Sequence, residues 1–174
     1  MAKEKTLDVL FHETLKDIYY AEKQILRTLP KMARGAASPE LKKAFEDHRD
    51  ETEVHVERLQ QIFDMLDKPA RGKTCDAILG IIEEGKDVLE EFEGAPALDA
   101  GLTASAQAVE HYEMARYGTL KTWATQLGMP EAAALLDQTL QEEKKADALL
   151  SKLAGASVNA KATDKATDKA KAVA

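Results

Sequence analysis

Apolar residues recur every three or four positions along five segments of the chain, which is the spacing of one buried face of an α-helix. The segments predict helices over residues 5–34, 39–66, 74–92, 97–127 and 130–153. Short stretches that contain glycine and proline separate them, as expected where one helix stops and the next begins. The pattern therefore predicts an all-α fold with four long helices and one shorter helix in the middle of the chain.

Four of the apolar stripes contain an acidic residue at a position that should face the core. These residues are Glu22, Glu51, Glu113 and Glu143. An unpaired buried carboxylate costs several kcal/mol or more, so acidic residues avoid protein cores unless something offsets their charge. Four helices that each direct an acid inward indicate a shared positive partner, and a pair of metal ions is the simplest one.

The first two helices are similar in layout to the last two. Glu22 precedes Pro39 by 17 residues, and Glu113 precedes Pro130 by the same interval. Each proline opens the following helix. This repeat predicts two helix hairpins that face each other, with the short helix 74–92 in the long crossover connection between them.

Two pairs of possible metal ligands have helical spacing. Glu51 and His55 are four residues apart, as are Glu143 and Asp147, so each pair can bind one ion from a single helix face. Imidazole suits iron, manganese or zinc, and an oxygen-rich ligand set favours iron or manganese over zinc. The predicted ligands of two metal ions are Glu22, Glu51, His55, Glu110, Glu113, Glu143 and Asp147.

Two assignments stay open at the level of sequence. Glu110 lies three residues before Glu113 on nearly the same helix face, so either of them can supply the ligand from the fourth helix. His48 lies three residues before Glu51 and is interpreted as a hydrogen-bond donor to a ligand more readily than as a ligand itself.

Composition narrows the range of functions. The chain of 174 residues carries a net charge of −7, which disfavours nucleic acid as a partner. It has one cysteine, no secretory signal pattern at its start and no apolar run of the ~20 residues that span a bilayer, so we expect a cytoplasmic protein without a membrane partner. Residues 1–154 are predicted to form the bundle. Residues 155–174 lack apolar periodicity and are predicted to be a mobile tail.

Four segments of the chain carry a resemblance to known proteins, namely residues 18–24, 48–59, 110–113 and 139–144. They resemble the YciE/YciF-type bacterial stress-response proteins, which belong to the ferritin-like superfamily. The resemblance covers roughly residues 5–154. It implies a ferritin-like four-helix bundle with a short extra helix in the crossover connection, a di-iron centre, a homodimer and a link to stress, but no particular reaction.

The ligand pattern departs from the usual di-metal carboxylate plan, in which each of two helices carries Glu-x-x-His. Here His55 follows Glu51 by four residues, and Asp147 stands where a second histidine would be expected. Three hypotheses remain. The first is a di-iron carboxylate protein that oxidises Fe(II) or consumes oxygen or peroxide. The second is a non-catalytic structural or interaction protein with a vestigial metal site, and the third is a manganese catalase-like enzyme. The sequence identifies no redox partner and leaves open whether the protein is an enzyme.

Overall fold

The computed structural model describes residues 4–163, and the helices in it confirm the five predicted segments to within two residues at each end. Among the described residues there is no β-strand. After the fifth helix, one π-helical turn over Ala154–Val158 leads into a last short helix. The helices are α1 (Leu7–Gly35), α2 (Pro39–Met65), α3 (Asp76–Glu91), α4 (Leu98–Gln126), α5 (Pro130–Leu153) and α6 (Asn159–Ala162).

The long helices form two hairpins that pack face to face. Helix α1 packs along α2, and α4 packs along α5; α2 contacts α5 and α1 contacts α4 across the bundle. Helix α3 lies in the connection between the hairpins and packs on α4 and α1. The predicted all-α bundle with a short extra helix in its crossover connection is confirmed.

The turn between α1 and α2 fastens the first hairpin to the second. Helix α1 continues past Pro30 and ends at Gly35. Ser38 caps α2, where its hydroxyl oxygen accepts a hydrogen bond from a first-turn N–H at 3.3 Å, and Pro39 opens the helix. Two backbone N–H groups of this turn donate to the carboxylate of Asp99, at the start of α4, at 2.8 Å each.

The bundle has an apolar core that is interrupted by a polar layer. Where α1 begins and α2 ends, Phe63 packs edge-on against Tyr19 with ring centroids 5.5 Å apart. In the middle of the bundle, six ionisable side chains are buried, none of them more than 6% exposed. They are Glu22, His48, His55, Glu110, Glu113 and Glu143.

The chain remains helical beyond residue 154, where the sequence predicts the tail to begin. Val158 is buried at 2% exposure, and α6 carries the helix on to Ala162. Residues 164–174, which contain most of the predicted tail, lie outside the described part of the chain. Within residues 4–163, no helix combines the length and the apolar character needed to cross a bilayer.

Candidate metal centre

The six buried ionisable side chains form two groups that share one residue. Glu22, His55 and Glu143 make up the first group. His48, Glu110, Glu113 and Glu143 make up the second. Within each group, one nitrogen or oxygen atom from every residue lies within 4.8 Å of the others, which is the spacing expected of side chains around a common ion. Helices α1, α2, α4 and α5 all contribute to this arrangement.

Glu143 lies between the two groups and directs one carboxylate oxygen into each. Its Oε1 is 3.0 Å from Nδ1 of His55, and that nitrogen is 3.5 Å from Oε1 of Glu22. Its Oε2 is 3.8 Å from Nε2 of His48, which is 3.2 Å from Oε1 of Glu110. A carboxylate in this position can bridge two metal ions.

The polar atoms of these groups are mostly without partners inside the protein. Nine buried side-chain atoms in the described residues have no hydrogen bond, and all nine belong to these six residues. Both oxygens of Glu113, both oxygens of Glu143 and both ring nitrogens of His48 are among them. Buried polar groups normally find a partner, so this concentration calls for an explanation.

Two divalent metal ions fit the donor set in charge and in chemistry. The four buried carboxylates carry a total charge of −4 when ionised, which two divalent cations would balance. Carboxylate and imidazole donors together suit iron and manganese, and the set contains no thiolate that would favour softer ions. The residues present therefore match a di-metal carboxylate site.

Without metal, these groups hold protons more strongly than usual. Burial raises the pKa of Glu110 and Glu113 well above the ordinary range of a carboxyl group, and it also raises the pKa of Glu143. Burial alone would lower the pKa of His55, but the charges of Glu22 and Glu143 outweigh it and raise this pKa to about 11. Metal binding therefore requires the release of protons.

An ion pair outside the first group holds His55 in position. The Nε2 of His55 is 3.0 Å from Oε2 of Glu142, so the ring can donate its Nε2–H to this carboxylate and leave Nδ1 free to bind a metal. Arg58 in turn donates to both oxygens of Glu142, with Nη2 3.0 Å from Oε1. Arg58 also donates to Thr139 at 3.2 Å, which links α2 to α5 beside the centre.

Two hydroxyl groups support the centre from within the bundle. Tyr117 is buried and its hydroxyl donates to Oε1 of Glu22, which leaves Oε2 as the unpartnered oxygen of this carboxylate. Thr52 donates its hydroxyl to the backbone carbonyl of His48 at 2.7 Å. Tyr117 therefore orients the carboxylate of Glu22, whereas the bond from Thr52 involves only the backbone of His48.

Five of the seven sequence-predicted ligands lie in the two groups, and two do not. The prediction that Glu51 faces the core is wrong, because its side chain is 49% exposed and lies 3.7 Å from Nδ1 of His48, on the outer side of that ring. Asp147 is partly exposed and accepts from Gln107 at 3.1 Å, with His111 at 3.2 Å. Glu110 and Glu113 are both inward, so the second group contains both alternatives from α4.

The internal repeat explains why the prediction for Glu51 was wrong, once the same interval is counted from the proline of each repeat. Thirteen residues separate Pro130 from Glu143, and the same interval from Pro39 reaches Thr52, not Glu51. Thr52 is completely buried in the structure, as Glu143 is. Helix α2 therefore has the same orientation as α5, and Glu51 lies one residue off the inward line.

Two further residues belong to the site and are not among the seven predicted ligands. The sequence leaves the role of His48 open and favours a donor to a ligand, whereas the structure places its Nε2 within the second group. The interval of seven residues from His48 to His55, two helical turns on one face, is the signal that would have revealed it. The second residue is Glu142, which is the partner of His55 and Arg58. No spacing along α5 distinguishes this acid from its exposed neighbours.

Comparison with known proteins confirms the resemblance seen in the sequence. The family model described as "Domain of unknown function (DUF892)" matches residues 6–163. Protein YciF of Escherichia coli strain K12 is 45% identical over 163 residues, which cover 93% of this chain and 98% of that protein. The crystal structure of the E. coli stress protein YciF has a TM-score of 0.85 at 44% identity and covers 90% of this chain and 99% of its own. YcfI from Rhodopseudomonas palustris has a TM-score of 0.83 at 41% identity, with 87% of this chain and 97% of that chain covered.

Proposed function

The chain belongs to the DUF892 family, and we propose that it is a ferritin-like di-metal carboxylate protein that binds two iron ions and oxidises Fe(II) with oxygen or peroxide. The observation that carries the proposal is the position of Glu143, whose two unpartnered oxygens face different groups of buried ligands. A single buried ion pair would need only one group of partners. A carboxylate that bridges two ions needs a group of ligands on each side, as Glu143 has.

Different residues of the chain would bind each ion, orient the ligands and exclude water. Glu22 and His55 would hold one ion, His48, Glu110 and Glu113 the other, and Glu143 would connect them. Glu142 would keep His55 in the tautomer that presents Nδ1, and Tyr117 would orient Glu22. The low exposure of the whole set would keep bulk water away from the ions.

Two Fe(II) ions held in this way could together supply two electrons to one peroxide molecule, which takes up two protons and yields two molecules of water and two Fe(III) ions. Such a reaction removes peroxide and free Fe(II) at the same time. These two species together damage cells under oxidative stress. The E. coli relative is described as a stress protein, which supports a role of the same kind for this chain.

The proposal is tested by counting metal ions in a pair of matched variants. Anaerobic titration of the metal-free chain with Fe(II) should give two ions per chain, and anomalous scattering on either side of the iron absorption edge should locate them at the two groups. The variant E143Q removes the bridging charge and should bind iron at least about a hundredfold more weakly, because both sites lose a ligand. The variant E131Q, an exposed acid on the same helix, should bind as the wild type does.

Activity is measured on the same samples. Iron-loaded protein should consume peroxide or oxygen faster than the same concentration of free Fe(II), and E143Q should lose this advantage. If the loaded wild type is no faster than free iron, the centre is a vestigial site in a non-catalytic protein. If E143Q binds two ions as tightly as the wild type, the assignment of the bridging residue is wrong.

Manganese is the alternative that the donor set itself raises, because four carboxylates and two imidazoles suit Mn(II) as well as Fe(II). A manganese centre of this kind would disproportionate peroxide without net oxidation of the metal, as in a manganese catalase-like enzyme. Metal analysis of the protein purified from its native host distinguishes the two. Two manganese ions per chain, together with release of oxygen from peroxide, would replace the iron proposal.

A further inference from the structure

A cavity of about 170 Å³ adjoins the second group of the candidate metal centre. Residues from all five main helices line it, and His48 and Glu110 form part of its surface. The cavity therefore reaches the buried ligands of the second group. His48 and Glu110 are both buried, and both belong to the candidate metal centre, so the cavity ends against the centre itself.

The walls of the cavity are apolar. They are formed mainly by large aliphatic and aromatic side chains, with small alanines between them. Such a surface binds apolar molecules and excludes ions, since a charge placed against it would lose its hydration without compensation. The large apolar side chains of the lining include Ile25, Leu29, Met32, Phe45, Ile82 and Val109.

The exposed residues of the lining lie on α2 and α5, on the side of His48, so the cavity opens to the surface between these two helices. Asp47, Glu51 and Lys145 lie at this mouth and are exposed to solvent, and Leu149 beside them is 43% exposed. Glu51, which the sequence analysis placed among the metal ligands, therefore lies at the mouth of the cavity.

We propose that this cavity is the binding pocket for a small, uncharged, mostly apolar molecule about the size of a substituted benzene, held with one end beside His48 and Glu110. An engineered protein cavity of about 150 Å³ with Leu, Ile and Phe walls binds benzene, so the volume here suits a ligand of this size. Binding of such a molecule does not depend on the proposed function, because the apolar walls are formed by residues that are not metal ligands.

Fluorobenzene is the probe, with the metal-free full chain as the receptor and fluorine NMR as the measurement. The wild type should show saturable binding, and 4-fluorobenzoate should bind at least about tenfold more weakly because its charge meets the apolar wall and the carboxylates. The variants A106L and A146L extend a side chain into the cavity from α4 and α5 and should each weaken binding of fluorobenzene at least about tenfold. The variant A108L makes the same change at an exposed position of α4 and should bind as the wild type does.

Two results would overturn the pocket: no saturable binding of fluorobenzene to the wild type, or equal affinity in A106L, A146L and A108L. Ala146 is only partly buried, so A146L decides the outcome if A106L does not fold. Iron titration of the same wild-type preparation separates this result from the proposed function. Binding of two irons without fluorobenzene rejects the pocket alone, and binding of fluorobenzene without iron rejects the metal centre and leaves the pocket.

Discussion

Each histidine of the candidate centre has one ring nitrogen directed into the centre and the other directed at an outer acid. For His55 the outer acid is Glu142, 3.0 Å from Nε2 and itself held by Arg58. For His48 it is Glu51, 3.7 Å from Nδ1 and largely in water. A partly buried partner that is itself held by an arginine fixes a ring more firmly than an exposed one, so His55 should be the better prepared of the two for binding metal.

Replacement of Glu142 tests this positioning role. The variant E142Q keeps the size of the side chain but removes the charge that holds the Nε2–H of His55, and we expect metal affinity to fall about 10–100-fold. Titration of Fe(II) against a competing chelator gives the affinity, and denaturant unfolding of the metal-free variant gives its stability. A merely structural role would lower the stability and leave the affinity of the folded protein unchanged. E131Q is again the matched control, and wild-type affinity in E142Q would refute the role.

At the scale of the helix, sequence periodicity predicts the bounds of each helix more accurately than it predicts which face of the helix is buried. The five helices are located to within two residues because their apolar stripes and their stop signals agree. Adjacent residues of a helix point about 100° apart, however, so an error of one position moves a side chain from core to surface. Glu51 and Thr52 show this, since both lie between His48 and His55 and only packing against the other helices places Thr52 inside.

The polar residues around the centre could be predicted only in part, because some of them are placed by contacts between helices and not by a pattern within one helix. Glu22, Glu113 and Glu143 interrupt apolar stripes of their own helices, and this local signal is sufficient. Glu142 and Arg58 pair across two helices separated by 84 positions in sequence, and no local pattern encodes that contact. The π-helical turn at Ala154–Val158 departs from the period of 3.6 residues, so an apolar stripe of that period does not predict it.

The orientation of α2 gives a prediction that compares two neighbouring positions on one helix. The variant H48Q should weaken binding of the second metal ion at least about tenfold, because an amide is a poorer ligand than imidazole. The variant E51Q should retain two ions per chain, because its side chain lies in neither group of buried ligands. Calorimetric titration with Fe(II) under nitrogen measures both. Loss of an ion in E51Q with two ions retained in H48Q would show that α2 is rotated in the metal-bound protein.

On the scale of the whole molecule, the bundle combines two apolar ends with a buried acidic layer, which must lower the stability of the metal-free protein. The predicted homodimer remains a prediction, and side chains that could contribute to its interface are exposed. Light scattering in solution would establish the number of copies. The large apolar residues with the greatest exposure in the described chain are Leu10, Val54, Met65, Leu79, Phe92 and Leu149.

The acidic layer predicts an unusual dependence of stability on pH. In the metal-free protein the pKa values of Glu110, Glu113 and Glu143 are raised by burial, and that of His55 is raised to about 11 by its neighbouring carboxylates. The folded chain therefore binds more protons than the unfolded chain between about pH 5, above the ordinary pKa of a glutamate, and pH 9. Since stability falls with pH wherever the folded state binds more protons, the melting temperature of the metal-free protein should fall across this range.

Other titrating groups do not mask this trend. Acids whose pKa is lowered by surface partners, such as Glu13 and Asp137, are already ionised at pH 5, and Lys43, whose pKa is raised, loses its proton only above the range. Each kcal/mol lost should lower the melting temperature by about 2–4 °C. Bound metal ions would replace the protons, so scanning calorimetry of the loaded protein should show a midpoint that is level or rises from pH 5 to pH 7 as metal affinity increases. A midpoint that rises with pH in the metal-free protein would mean that the buried carboxylates are stabilised by something other than protons or metal.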